Sequence, residues 1–148
     1  MSRVRSQSVV QCPAASPGPD ALRYVAAIRR FEDIEAWKAC RRLSQEFSRI
    51  LRETKGFKHQ FLVTQLTKCA DSAKSNNVEG FDSGSAPEFH RFLRIAYRSL
   101  SEFQSHLYSA MDENCLDRNS FDHLYGLARE AKSLTGGFMR YLKKARPQ

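Results

Sequence analysis

The chain has 148 residues, 41% apolar and 27% charged, and its 24 Lys plus Arg outweigh 16 Asp plus Glu for a formal charge of +8. That length is enough for one domain with its own core, and that apolar content excludes a wholly disordered chain. The positive balance favours polyanionic partners such as RNA, DNA or an anionic surface. It is uneven, because Arg3, Arg5, Arg23, Arg29 and Arg30 stand against the single acid Asp20 in the first 30 residues, leaving the remainder only mildly basic.

Residues 1–30 hold Pro13, Pro17 and Pro19 without sustained periodicity and read as a disordered basic tail. Within them Leu22 to Ile28 would suit a short helix against the core, or a start codon further downstream. No apolar run follows Arg3 and Arg5, so neither a secretory signal nor a membrane span is expected. From Phe31 apolar residues recur every three or four positions, and residues 31–144 are expected to form one helical domain. Ala36, Cys40, Leu43, Phe47, Ile50 and Leu51 mark a first helix over about 32–55, with Gly56 placed to end it. Leu62, Leu66, Cys69 and Ala73 mark a second over about 58–78, with Gly80 and Gly84 bracketing the following turn. Ser85-Ala86-Pro87-Glu88 has the form of a capping box, and the face Phe89, Phe92, Leu93, Ala96, Leu100, Phe103, Leu107 and Met111 carries a third helix to about Asn114. Asp117 or Asn119 caps a fourth, striped by Phe121, Leu124, Tyr125, Ala128, Ala131, Thr135, Phe138 and Leu142. Short connections predict an all-α, antiparallel up-down-up-down four-helix bundle.

Cys12, Cys40, Cys69 and Cys115 are widely spaced, with no C-x-x-C and no histidine at zinc-ligand spacing. Free thiols in a reducing, cytoplasmic setting are the expectation, with no metal and no cofactor. A di-iron bundle needs Glu-x-x-His on two helices, which the sequence lacks, as it lacks phosphate-loop and dinucleotide fingerprints. His59, His90, His106 and His123 read as surface or packing residues.

Two constellations remain. Gln65, Ser72, Asn76 and Glu79 share an arc of about 60° on the second helix at about 100° per residue, opposite Ser99, Glu102 and His106 on the third. They form either a polar network that fixes register or a pocket; without a nucleophile or ligand set beside them the network is favoured, and no catalytic residue is assigned. Basic side chains also fall in helical rows: Lys38, Arg41, Arg42, Arg49 and Arg52; Arg91, Arg94 and Arg98; Arg129, Lys132, Arg140 and Lys143. Each row alone reads as a solvated face balanced by Glu35, Glu46 or Glu130. Three together make phosphate-backbone binding an even alternative, with Arg41, Arg42, Arg49, Arg91, Arg94, Arg98, Arg129, Lys132, Arg140 and Lys143 as candidate contacts. Trp37, Phe57, Phe61, Phe81 and Tyr97 exceed what one small core needs, which suggests self-association.

Three segments resemble a known family. Phe31-Glu32-Asp33-Ile34-Glu35-Ala36-Trp37 is similar to an opening F-x-x-[LI]-x-[AV]-W. The run from Gln65-Leu66 through Cys69-Ala70, Ser72, Asn76, Glu79 and Gly80 is similar to Q-L-x-x-A-A-x-S-x-x-x-N-I-A-E-G. Glu88-Phe89, Arg91-Phe92-Leu93, Ile95-Ala96, Ser99, Glu102-Phe103 and Leu107 follow E-F-x-R-F-L-x-I-A-x-G-S-x-x-E-L-x-x-Q-L. These are signatures of the four-helix bundle proteins of 23S rRNA intervening sequences, the S23-type family. The chain departs from them at Ala73, at Asn77 and Val78, at Arg98 in place of Gly and at His106 in place of Gln. The resemblance implies a bacterial homopentameric barrel of four-helix protomers, relatives that serve as accessory proteins to reverse transcriptases, and no catalytic residues. The sequence therefore predicts a non-enzymatic, oligomeric bundle that binds nucleic acid, RNA first, through basic stripes. The alternative is a protein-binding adaptor such as a reverse-transcriptase accessory subunit.

Overall fold

The computed structural model describes residues 27–55 and 57–144. The expected tail, apart from its last four residues, and the capping role of Gly56 lie outside them. A 3-10 turn, Phe31–Asp33, leads into four α-helices: α1 Glu35–Glu53, α2 Gln60–Asp82, α3 Ala86–Asp112 and α4 Arg118–Lys144. The described residues contain no strand. Each helix packs against its neighbours in sequence, and α4 closes back on α1.

Local chemistry sets most helix ends. In the entry turn, the Asp33 carboxylate accepts from the backbone amides of Arg29 and Arg30 at 3.1 and 3.2 Å, and Phe31 meets Trp37 edge to face at 5.0 Å. Ser85 accepts from the amide of Glu88 at 3.3 Å and Pro87 occupies the first turn, as the sequence predicts for α3. The Glu88 carboxylate is turned instead to Arg91, at 3.1 Å, so the hydroxyl half of the capping box is the half observed. The last turn of α3 ends at Asn114, in the left-handed region with φ 54°, while Cys115 N–H donates to Ala110 O at 2.9 Å and Asn114 N–H to Met111 O at 3.0 Å. This Schellman arrangement satisfies carbonyls that the helix leaves open. Of the two caps open for α4, Asp117 is used: its carboxylate accepts from Ser120 N–H at 2.7 Å, which holds its pKa below the ordinary carboxylate value.

Helix α1 begins at Glu35, after the 3-10 turn, where the sequence places its start at about residue 32, and α2 differs at its far end. Helix α2 has no Ser, Thr, Asp or Asn at its start; His59 Nδ1 accepts from Leu62 N–H at 3.4 Å instead. Its other end runs through Gly80 to Asp82, so Gly80 is a packing glycine rather than a turn residue. A Cβ there would press into the Phe89 ring, lying 2.9 Å from its Cε2, and 3.1 Å from Phe92 Cβ. The missing side chain is what lets α3 begin directly against α2.

The apolar stripes converge on a main core in which Leu43, Leu66, Leu100, Phe103, Leu107 and Leu124 are fully buried. Phe47 meets Phe103 and Phe57 edge to face at 5.7 and 6.3 Å. A second cluster, Ile34, Ala36, Phe89, Leu93, Phe138 and Leu142, closes one end, centred on the Phe89–Phe138 contact at 4.9 Å. Of the surplus aromatics, Phe57 is buried, Trp37 and Phe81 are half-buried, and Phe61 is 64% exposed. No described helix is long and apolar enough to cross a membrane.

Candidate nucleic-acid interface

The basic rows that look alike in sequence differ in their surroundings. On α1, Arg49 is clamped by two carboxylates, Glu46 at 2.8 Å and Glu53 at 2.7 Å. Lys38 pairs with Glu35 at 2.9 Å, Arg42 approaches Glu130 of α4 at 3.9 Å, and Arg41 lies over the Trp37 ring at 5.9 Å. Glu46 also meets His123 Nε2 of α4 at 2.9 Å, and the hydrogen bonds from Arg49 and His123 lower its pKa to about 2. In the α1 row Lys38, Arg49 and, at longer range, Arg42 thus face carboxylates, whereas Arg41 and Arg52 have no carboxylate partner among the described residues.

On α3, Arg91 is held by Glu88 and lies over Phe92 at 4.4 Å, whereas Arg94 and Arg98 are exposed with no ion pair among the described residues. Arg98, at a position where the family signature has Gly, is exposed to solvent. On α4, Arg129, Lys132, Arg140 and Lys143 fall within an arc of about 80° at about 100° per residue and span about 21 Å at 1.5 Å rise. None of the four has a carboxylate partner among the described residues. Arg129 lies over Tyr125 at 5.5 Å; Lys132 lies over Tyr97 of α3 at 4.9 Å and donates to Gln104 Oε1 at 3.2 Å.

These four cations line two adjoining clefts between α3 and α4, about 350 and 300 Å³ in volume, which share Tyr97, Gly136 and Arg140. Gln104, Tyr125 and Ser133 complete the first and His90 and Met139 the second. No carboxylate of the described residues lines either. With Arg, Lys and Tyr as its walls, the groove is built to attract phosphate and to offer aromatic faces. Of the ten candidate contacts, the structure gathers Arg129, Lys132, Arg140 and Lys143 here, sets Arg94 and Arg98 on the solvent face of α3, and leaves Arg41, Arg42, Arg49 and Arg91 engaged elsewhere. The sequence reading set Tyr97 among the surplus aromatics and Tyr125 in the apolar stripe of the fourth helix; the structure makes both walls of this groove. For Tyr125 the signal was spacing, since it precedes Arg129 by four residues, about one helical turn; Tyr97 lies on another helix and only packing brings it to the groove.

The polar row on α2 is partly joined to α3. Ser72 Oγ and Ser99 Oγ share a hydrogen bond of 2.8 Å across the helices, and Asn76 Nδ2 donates to Ser72 O and Oγ at 2.8 and 3.2 Å. Glu102 enters through Cys69, whose Sγ lies 3.8 Å from its carboxylate. Gln65 and Glu79 flank the row without a hydrogen bond to it among the described residues, and neither cleft opens onto it. Burial, with Glu102 adding to it, pushes the Cys69 thiol up to about 11, and burial pushes Cys40 up to about 12, so both remain protonated and weakly nucleophilic near neutral pH. The neighbouring Asn77, fully buried, was not singled out for this network: its Nδ2 donates to Ala73 O at 2.8 Å and lies 3.8 Å from Cys40 Sγ, while Oδ1 has no hydrogen-bond partner. No group of three His, Cys, Asp or Glu side chains among the described residues is placed to hold a metal ion.

No curated protein matches the chain significantly. The family model described as 23S rRNA-intervening sequence protein matches residues 32–137, from the entry turn to the middle of the groove-forming stretch of α4. Together with the four helices, that match over most of the chain places it in one family: the chain belongs to the 23S rRNA-intervening sequence proteins.

Proposed function

We propose that this chain is a non-enzymatic cytoplasmic protein that binds nucleic acid, RNA first, through the cationic α3–α4 face, and that copies of it associate, as a pentamer, so that the face is repeated. The observation that carries the reading is the row Arg129, Lys132, Arg140 and Lys143, gathered in one groove without a carboxylate among the described residues. Phosphates that displace counterions from such a row bind with little regard to sequence. Within this reading the helices run up-down-up-down. Its support is the reversed order of contacts between partners: Cys69, Ser72 and Gly80 meet Glu102, Ser99 and Phe89; Tyr97 and Gln104 meet Gly136 and Lys132; and Glu46 and Arg42 meet His123 and Glu130. Phe61, 64% exposed, and Tyr108, 55% exposed, support a contact between copies.

The test is anisotropy of a labelled RNA oligonucleotide titrated with the full chain at about 50 to 200 mM salt. Binding that weakens linearly in log–log form supports the reading. Absence of binding at the lowest salt overturns it and favours the adaptor alternative, in which the same exposed aromatics meet a protein such as a reverse transcriptase. Light scattering checks the assembly: a particle several times the 17.0 kDa protomer is expected, and a monomer at micromolar concentration removes the repeated face.

A further inference from the structure

We propose that the α3–α4 groove is a single-strand site, in which Tyr97 stacks on an unpaired base while the α4 cations hold the flanking phosphates. The inference rests on the nucleic-acid reading above and narrows its ligand. Tyr97 is 37% exposed and lines both clefts. Lys132 Nζ lies over one face of the ring, 4.9 Å from its centroid, so the base stacks on the opposite face, with a positive charge across the ring from it.

The groove floor is open because Gly136 has no side chain. A Cβ there would lie 3.4 Å from Tyr97 Cε2 and 3.5 Å from Arg140 Nη1, so anything longer would occupy the space between ring and guanidinium. Tyr125 forms the far wall, itself stacked on Phe121 at 5.4 Å and 24°. Ser133 and the Gln104 amide line the same cleft and offer hydrogen bonds to base edges or a 2′-hydroxyl.

Two features select a single strand over a duplex. One row of cations along one helix follows one phosphate backbone, about 21 Å of it at 1.5 Å per residue. Aromatic walls gain nothing from a duplex, whose base faces are already covered, whereas an unpaired base offers its π-face to any ring of suitable exposure. The clefts, at 350 and 300 Å³, are near the lower end of ligand-pocket volumes, roughly 300–1,000 Å³, and suit one nucleotide unit each.

The experiment compares a labelled 12-nucleotide oligouridylate with an RNA duplex of the same length, both titrated with full-length protein at low salt. Wild type is expected to bind the single strand about 10-fold more tightly. Tyr97→Ala should lose about 10-fold on the single strand, in line with roughly 1–3 kcal/mol per stacked base, and under about 2-fold on the duplex. Tyr97→Phe should retain the wild-type preference. Gly136→Leu fills the groove with every charge kept and should lose single-strand affinity while far-UV circular dichroism stays helical. Equal affinity for strand and duplex, or an unchanged Tyr97→Ala, overturns the single-strand site and leaves phosphate binding standing. Absence of binding to either nucleic acid at low salt overturns the nucleic-acid reading and this inference with it.

Discussion

The α1 face and the α3–α4 face carry similar numbers of cations at similar helical spacing, yet they present opposite surfaces. Around α1 the acids are interleaved with the bases: Glu46 and Glu53 sit three residues before and four after Arg49, close enough to clamp it. Glu130, on a different helix, is brought to Arg42 by packing. On the groove side of α4 the intervening positions are Ser133, Gly136 and Met139 rather than acids, and the wall opposite is Tyr97. Surface ion pairs contribute little to stability, with exposed pairs worth about 0–1 kcal/mol. They do decide which cations remain available to a phosphate, and the difference between the faces lies there.

The largest effect should come from charge reversal on the two faces. Arg140→Glu combined with Lys143→Glu is expected to weaken RNA binding by about 30-fold or more and to lower the log–log salt slope by roughly 1.4, at about 0.7 per single-strand phosphate contact. Arg42→Glu combined with Arg49→Glu should change affinity by under about 3-fold, because those guanidiniums already face carboxylates. Reversal of Arg91, Arg94 and Arg98 should fall between, since only Arg91 is held by an acid. Anisotropy across a salt series measures all three, and equal losses on the α1 and α4 faces would break the distinction between them.

A smaller effect follows from the acid that neutralises α1. Glu46 titrates at about 2 in the folded chain against an ordinary 4.5, so its favourable contacts are complete above about pH 4.5 and are lost as pH falls toward 2. Acid unfolding followed by circular dichroism should show part of its loss of stability in that window, and Glu46→Gln should make the loss there shallower. The same substitution removes one of the two carboxylates on Arg49 and should raise RNA affinity at neutral pH by about 2-fold, bringing α1 one step toward the α4 condition. Unchanged affinity would mean that Glu53 alone suffices to occupy Arg49.

The smallest effect compares two glycines of α4. At Gly126 a Cβ meets nothing within 4 Å, so Gly126→Ala should stabilise the fold by about 0.5–1 kcal/mol through helix propensity alone. Gly136→Ala places its methyl in ordinary contact with Tyr97 and Arg140, so it should gain a similar amount of stability while narrowing the groove. Thermal melts with RNA titrations separate the two: higher melting points in both, with RNA affinity reduced only for Gly136→Ala.

Four helices were legible in the residues alone, because a stripe of apolar residues at helical spacing and a cap such as Ser85 or Asp117 are local signals, readable without knowing what lies across the interface. The sequence also identified every cation of the groove and the family signatures in Phe31–Trp37, in α2 and in α3. What it did not contain was pairing between helices. Only the packed structure put Ser72 against Ser99, enclosed Asn77 beside Cys40, and turned Gly80 from a turn residue into the seat of Phe89. Only packing set Glu46 on His123 and Glu130 on Arg42 while leaving the α4 row opposite Tyr97. The physical reason is that a helix fixes the angle at which each side chain leaves its own axis, whereas the charge it meets there belongs to a neighbour whose position is set by the fit of the core.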